Sequence, residues 1–320
     1  MNLESKIYIA GHRGLVGSAL IRQLQAKGYK NLVTCTHAEL DLTDHAAVHH
    51  FFAAEKPEYV LLAAAKVGGI HANNSYPVDF LMSNLLIEAN ICRAAYATNV
   101  NRLIFLGSSC IYPRDCPQPI KEEYLLSGPL EATNRPYALA KIAGIEMCWS
   151  YNRQYGTKWL AVMPTNLYGP GDSYDLDNSH VLPALIRKMH EAKKADVGEV
   201  VLWGSGTPKR EFLYVDDLAS ALMFLAILDD ARYDTLVESS RCPLINVGSG
   251  EDLTIRELAE LIAEVVGFQG RFVQDTSKPD GTMRKIMDVS KIRKLGWVPE
   301  TDLRRGIALA YENYLCGLKS

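Results

Sequence analysis

Through residue 162, short apolar runs alternate with stretches of helical spacing. Ile7-Tyr8-Ile9-Ala10 reads as a first strand, and residues 18–27 as a helix stopped at Gly28. Residues 31–34 form a second apolar run, followed by helical spacing over 46–55. Residues 59–64 read as a short buried strand bounded by Lys66 and Gly68-Gly69, and 79–97 again has the helical period. Residues 103–106 are a buried strand ending at Gly107-Ser108, 137–155 a long helix and 160–162 another strand. Strands that alternate with helices in this way predict a parallel α/β sheet.

Beyond Pro164 the pattern changes. Turn signals crowd in at Tyr168-Gly-Pro-Gly-Asp172, Trp203-Gly-Ser-Gly206, Val247-Gly-Ser-Gly250 and Lys278-Pro-Asp-Gly281. Residues 254–266 predict an amphipathic helix, with Thr254 as N-cap and Glu257 completing a capping box. Residues 1–172 therefore read as a nucleotide-binding domain, with a return of the chain near 212–232. Residues 173–211 and 233–320 read as a smaller α/β lobe covering the sheet's carboxyl edge.

Composition narrows the class of partner. The chain has 320 residues, 48% of them hydrophobic, and a net charge of −3 without a basic block. That argues against nucleic acid or an anionic membrane surface as the main partner. The apolar stretch in residues 1–17 is too short for a signal peptide, and that of 218–228 too short to span a bilayer. Seven cysteines, an odd number with no C-x-x-C, fit reduced thiols in a cytoplasmic protein. His45 and His49 lie one helical turn apart, with His50 adjacent, but no acid or cysteine completes a ligand set, so no metal is expected.

Candidate chemistry begins at Gly11-His12-Arg13-Gly14-Leu15-Val16-Gly17, between a strand and a helix. A G-x-x-G-x-x-G loop in that context lets backbone approach a pyrophosphate, and the helix N-terminus offers oriented N–H groups. A carboxylate at the end of strand two would hold an adenine ribose 2′-hydroxyl; this chain instead reads Cys35-Thr36-His37. The missing acid and the presence of Arg13, able to meet a 2′-phosphate, favour NADP. Asp41-Leu42 either bonds the adenine amino group or merely begins a helix. Farther on, Tyr137 and Lys141 lie four residues apart, on one helical face. A phenol ordinarily ionises at about 10, and a nearby ammonium favours the phenolate. Such a tyrosine can exchange a proton with a sugar oxygen while hydride moves at the attached carbon. Ser108, just past a buried strand, completes a Ser/Tyr/Lys set at the crevice.

This combination resembles the extended short-chain dehydrogenase/reductase family over nearly the whole chain. Six segments carry the likeness in order: Gly11–Gly14, Ala63-Ala-Ala-Lys-Val-Gly-Gly69, Gly107-Ser-Ser-Cys-Ile-Tyr-Pro113, Pro164-Thr-Asn-Leu-Tyr-Gly-Pro170, Asn178-Ser-His180 and Trp203-Gly-Ser-Gly-Thr-Pro-Lys-Arg210. The resemblance implies a Rossmann-type doubly wound parallel sheet with a smaller C-terminal α/β substrate lobe. It further implies NADPH, a GDP-sugar substrate and a homodimer. The implied reaction epimerises GDP-4-keto-6-deoxy-D-mannose at C3 and C5 and then reduces its C4 ketone. Leu106, Gly107, Ser108, Lys141, Pro164, Asn166, Leu167 and His180 would join the glycine loop in holding the cofactor. The family pattern places arginine where this chain has His37, so NADH use stays open.

Inverting a centre next to a ketone takes a base on one face and an acid on the other. Cys110, on the loop of Ser108, and His180 are the candidates, with ordinary pKa values of about 8.5 and about 6.5. The thiol serves as base if cationic groups nearby favour its thiolate. Which does which is open. Ser108 and Tyr137 would hold O4, and Tyr137 would protonate it. For the GDP, Arg210 matches phosphate oxygens, Lys188 adds a charge and Trp203 offers a flat face. Asp280 either holds a hydroxyl or only forms its turn; Ser109 and Asn166 complete the expected substrate contacts.

Three other readings compete. A nucleotide-sugar 4,6-dehydratase would carry Asp-Glu where this chain has Ser109-Cys110. A UDP-sugar 4-epimerase has no need of a Cys/His pair. A dinucleotide-sensing protein without turnover has no need of a proton donor.

Overall fold

In the computed structural model, residues 1–176, 179–238, 240–277 and 280–318 are described. In chain order the first half runs β1 (Ile7–Ala10), α1 (Leu15–Ala26), β2 (Leu32–Val33), α2 (His45–Glu55), β3 (Tyr59–Leu62), α3 (Ile70–Ser75), α4 (Pro77–Ala97), β4 (Arg102–Leu106), α5 (Arg135–Tyr155) and β5 (Trp159–Pro164). The second half runs β6 (Asn166–Tyr168), α6 (Val181–Lys194), β7 (Glu199–Trp203), β8 (Lys209–Tyr214), α7 (Val215–Ile227), α8 (Asp230–Val237), β9 (Leu244–Val247), β10 (Asp252–Thr254), α9 (Ile255–Val266), β11 (Arg271–Asp275), β12 (Arg284–Lys285), α10 (Ser290–Lys294) and α11 (Leu303–Gly317).

Among the described residues the main sheet has six strands in the order β2-β1-β3-β4-β5-β9, each pair parallel. Every residue of β4 and β5 is buried, as expected where helices cover both faces of a parallel sheet. The order reverses beside β1, which opens a crevice at the strands' carboxyl ends. The sheet is thus parallel as the pattern predicts, and doubly wound as the resemblance implies.

Boundaries differ where local chemistry decides them. α1 starts at Leu15, not 18, because Gly14 serves as N-cap and the last residues of the glycine loop are already helical. β2 shrinks to Leu32–Val33 at the sheet's edge. α4 begins at Pro77, a residue preorganised for a first turn. The predicted capping box forms: Glu257 N donates to Thr254 Oγ1 at 3.0 Å and Thr254 N to Glu257 Oε2 at 2.8 Å.

The smaller lobe is built on β8, which pairs with β6, β10 and β12, and on the β7–β11 pair. Leu182, Ile186, Leu258, Ile262 and Ile307 belong to its own apolar core. The sequence division put all of 233–320 in this lobe. In the structure β9 is instead the sixth strand of the main sheet, and Val289, Ile292 and Trp297 pack in the sheet's core. Glu211 stitches the two units together. It is fully buried, its carboxylate accepts from Gly250 N at 2.7 Å and Met287 N at 2.9 Å, and its carbonyl accepts from Asn166 Nδ2 at 2.8 Å.

Candidate active site

The glycine loop turns sharply after β1. Gly11 has φ of +85°, and a Cβ there would stand 2.8 Å from the Ala64 backbone. A Cβ on Gly17 would collide with Gly11 O. The loop therefore closes directly onto the end of β3, and the N-cap Gly14 offers no side chain to the first turn of α1. The loop and the start of α1 line the crevice, and a helix N-terminus there suits a pyrophosphate.

A cavity of about 710 Å³ runs from this loop across the ends of β3, β4 and β5. Of the residues singled out from sequence, Gly11, Gly14 to Gly17, Asp41, Leu42, Leu106 to Ser109, Tyr137, Lys141, Pro164, Asn166, Leu167 and His180 line it. His12 and Arg13 do not; Arg13 is exposed, and both lie close enough to Glu39 to hold its carboxyl below the usual range, after the larger effect of its bonds to Thr36. His37 lines the adenine end, with Nδ1 3.9 Å from Asp41 Oδ1. The lining fits a dinucleotide, and His37 on the cavity wall gives a 2′-phosphate a polar neighbour.

At the other end α5 delivers Tyr137 and Lys141. The Phe80 ring meets Tyr137 edge-on at 6.4 Å and fixes its plane. Lys141 is buried; its Nζ donates to Leu106 O at 3.0 Å, lies 3.3 Å from Glu88 Oε1 and 5.8 Å from the Tyr137 ring centre. The sequence predicts a phenol made more acidic by this ammonium. The structure shows the opposite direction: burial raises the Tyr137 pKa, and the Cys110 and Glu88 groups add to it. The lysine's charge is directed at a carboxylate and a carbonyl rather than at the phenol.

Cys110 sits in a short 3-10 turn, Ser109–Ile111, and its N–H donates to Ser108 Oγ at 3.5 Å. It is buried and does not line the large cavity, and it lies close enough to Tyr137 to act on its pKa. Burial pushes its thiol up; Lys285, the Ser108 hydroxyl and Lys141 pull it down, in that order. His180 is the N-cap of α6 and opens onto the cavity; it is exposed, and partial desolvation by the cavity wall lowers its pKa. Its motif partner Asn178 lies outside the described residues.

Lys188, Trp203, Arg210 and Asp280 form a separate group on the lobe. Lys188 Nζ lies 5.2 Å from the centre of the Trp203 ring, over its face. Arg210 and Asp280 interact electrostatically, and Asp280 Oδ1 accepts from Ser205 N at 2.6 Å. Burial lowers the pKa of both Lys188 and Arg210, and Asp280 partly offsets this at Arg210. Lys278 and Pro279, from the turn that carries Asp280, lie outside the described residues.

Sequence reasoning missed Lys285. On β12 it pairs in register with Arg210 of β8, while the neighbouring Ile286 N donates to Gln118 Oε1 at 2.9 Å. That threading sets a lysine close enough to the Cys110 loop for its charge to pull the thiol's pKa down. A lone lysine in an Arg-Lys pair gave no signal for it.

The model for the NAD dependent epimerase/dehydratase family matches residues 7–234. A relative from Arabidopsis thaliana, GDP-L-fucose synthase 1, is 58% identical over 98% of this chain and 94% of its own length. GDP-L-fucose synthase from Escherichia coli (strain K12) is 55% identical over 98% of this chain and 97% of its own. Among solved structures, a GDP-D-glycero-L-gluco-heptose synthase from Campylobacter jejuni, crystallised in the presence of NADPH, superposes with a TM-score of 0.91 at 40% identity, covering 98% of this chain and 99% of that one.

Proposed function

Because this chain belongs to the NAD dependent epimerase/dehydratase family, we propose that it makes GDP-L-fucose, inverting GDP-4-keto-6-deoxy-D-mannose at C3 and C5 and reducing the C4 ketone with NADPH. The observation that carries this reading is the reach of the likeness. Two GDP-L-fucose synthases match 98% of the chain at 55% and 58% identity, so glycine loop, crevice and lobe are all included.

The residues have the chemistry for it. In the crevice, Ser108 and Tyr137 hold O4, which makes the hydrogens on C3 and C5 acidic by sharing the enolate charge. Cys110 and His180 exchange protons with the two carbons from opposite faces, and Lys285 steadies the sulfur when it is charged. Bound NADPH supplies the hydride at C4. Tyr137 then gives its proton to O4, and Lys141 holds the nicotinamide ribose. Arg210 and Lys188 take the diphosphate, whose oxygens match their donors, and Trp203 stacks on the nucleotide or sugar.

Partial or full desolvation sets the resting protonation of the epimerising pair. A thiol pushed up and an imidazole pushed down are both neutral at pH 7. Either one takes a carbon-bound proton while the other gives one, after a single proton shift between them. Both divisions of labour need one proton on the pair. Solvent-deuterium exchange at C3 and C5 is therefore expected to be flat near pH 7, to fall on the acid side below the ordinary histidine value, and to fall on the alkaline side above the ordinary thiol value. A maximum with sloping limbs at pH 7 would contradict a thiol and an imidazole that both rest neutral.

The finer expectations follow from the same reading. α4 exposes Val78, Met82 and Leu86 at four-residue spacing, an apolar stripe that suits a second copy of the chain. A homodimer is expected, and sedimentation at micromolar concentration that gives a monomer would remove it. Seven cysteines without a disulfide fit a cytoplasmic setting. No described helix is long and apolar enough to cross a membrane.

The test is loss of nicotinamide absorbance on adding GDP-4-keto-6-deoxy-D-mannose, with NADPH and NADH compared. NADPH is expected to turn over faster, with NADH measurable because His37 stands at the 2′-phosphate end. No turnover with either defeats the reading.

A further inference from the structure

The contact between α4 and α5 buries one charge pair completely. Glu88 on α4 is 1% exposed and Lys141 on α5 is 2% exposed, with Nζ 3.3 Å from Glu88 Oε1. Apart from that ammonium, neither Glu88 oxygen has a hydrogen-bond partner among the described residues. The pocket is closed around the carboxylate: a Cβ on Gly144 would stand 2.9 Å from Glu88 Oε2 and would overlap the Phe105 ring. Burying such a pair costs more than burying two apolar side chains of the same size. Stability alone does not account for it, and the epimerase and reductase chemistry gives Glu88 no part. Its partner is nevertheless the lysine beside the proton donor, which is where a displaced charge alters function.

We propose that Glu88 is a positioning residue for the reduction, holding Lys141 Nζ at Leu106 O and opposing the pull of the ammonium on the Tyr137 proton. The proposal rests on the proposed reaction, in which Tyr137 protonates O4. Two features agree with it. The Glu88 charge is one of the causes that raise the Tyr137 phenol, after burial and Cys110. Burial pushes Glu88 itself up to about 7, with Lys141 pulling it back, so its charge varies across the working range. The titratable groups that face Glu88 are Lys141, Tyr137 and Cys148, all from α5, with the free thiol of Cys92 on its own helix hydrogen-bonded to that of Cys148. β4 presents the Phe105 ring, and α2 buries only Val48 and Phe52.

The sign of the effect follows. Reduction needs Tyr137 protonated, so the rate falls on the alkaline side as the phenol ionises. Removing the Glu88 charge makes the phenol more acidic and moves that limb to lower pH. Glu88→Gln keeps the volume and removes the charge; Glu88→Asp keeps the charge. In Glu88→Gln the alkaline limb of kcat for NADPH oxidation is expected about one pH unit lower than in wild type. In Glu88→Asp it is expected to stay near the wild-type position. The same displacement is expected without substrate, in the phenolate absorbance of each protein minus that of its Tyr137→Phe counterpart. Glu88→Leu is expected to give that displacement too, and serves if a buried amide prevents folding.

A limb and a phenolate midpoint that stay put in the neutral variants, or move upward, overturn the proposal. Wild type that fails to oxidise NADPH defeats the functional reading instead, while the phenolate titration still decides the part played by Glu88.

Discussion

Tyr137→Phe is expected to lower NADPH-dependent reduction by about 10³-fold, the scale of losing a positioned general acid. The variant keeps the ring against Phe80 and removes only the hydroxyl, so folding and cofactor binding should survive. Burial holds the Tyr137 proton tightly, which makes water a poor substitute at that point in the crevice. Deuterium exchange at C3 and C5 should persist at a reduced rate, because Ser108 still faces O4 and Cys110 and His180 are untouched. NADPH oxidation at the wild-type rate would discard Tyr137 as the donor. Equal loss of exchange and reduction would mean that the hydroxyl acts mainly by holding the enolate.

Cys110→Ser is expected to lower exchange at C3 and C5 by about 10²-fold or more. A serine hydroxyl keeps its proton far more strongly than a thiol, and Lys285 cannot make up the difference at neutral pH. NADPH affinity should be unchanged, because Cys110 is buried and does not line the cavity that suits the cofactor. Reduction should then outrun inversion, and the product should shift toward an uninverted 4-hydroxy sugar. Normal fucose formation in this variant would reduce Cys110 to packing.

The two substitutions separate what the sequence showed from what only the fold could show. Tyr137, Lys141 and Ser108 were legible because helical spacing and a strand end place them relative to a glycine loop. β1, β4 and β5 were legible as unbroken apolar runs, the mark of strands covered on both faces. β9 was not. Leu244–Val247 is an equally apolar run, but nothing local says that it returns to β5 across the lobe. The start of α1 was hidden because Gly17 is a poor helix former, used there only because no Cβ fits. The direction of the Tyr137 shift was misread for a related reason. A lysine four residues along the helix is visible, but the carboxylate that draws its charge away comes from another helix. Lys285 and Glu88 are single charged residues in ordinary runs, and only tertiary packing brings them beside Cys110 and Lys141.

The most direct measurement is proton NMR of the sugar product made from GDP-4-keto-6-deoxy-D-mannose and NADPH in deuterated water. One crevice that inverts two centres before reducing a third leaves deuterium on both C3 and C5 of GDP-L-fucose. A 4-reduced product with hydrogen at both positions and both centres uninverted would leave a simple ketone reductase in its place.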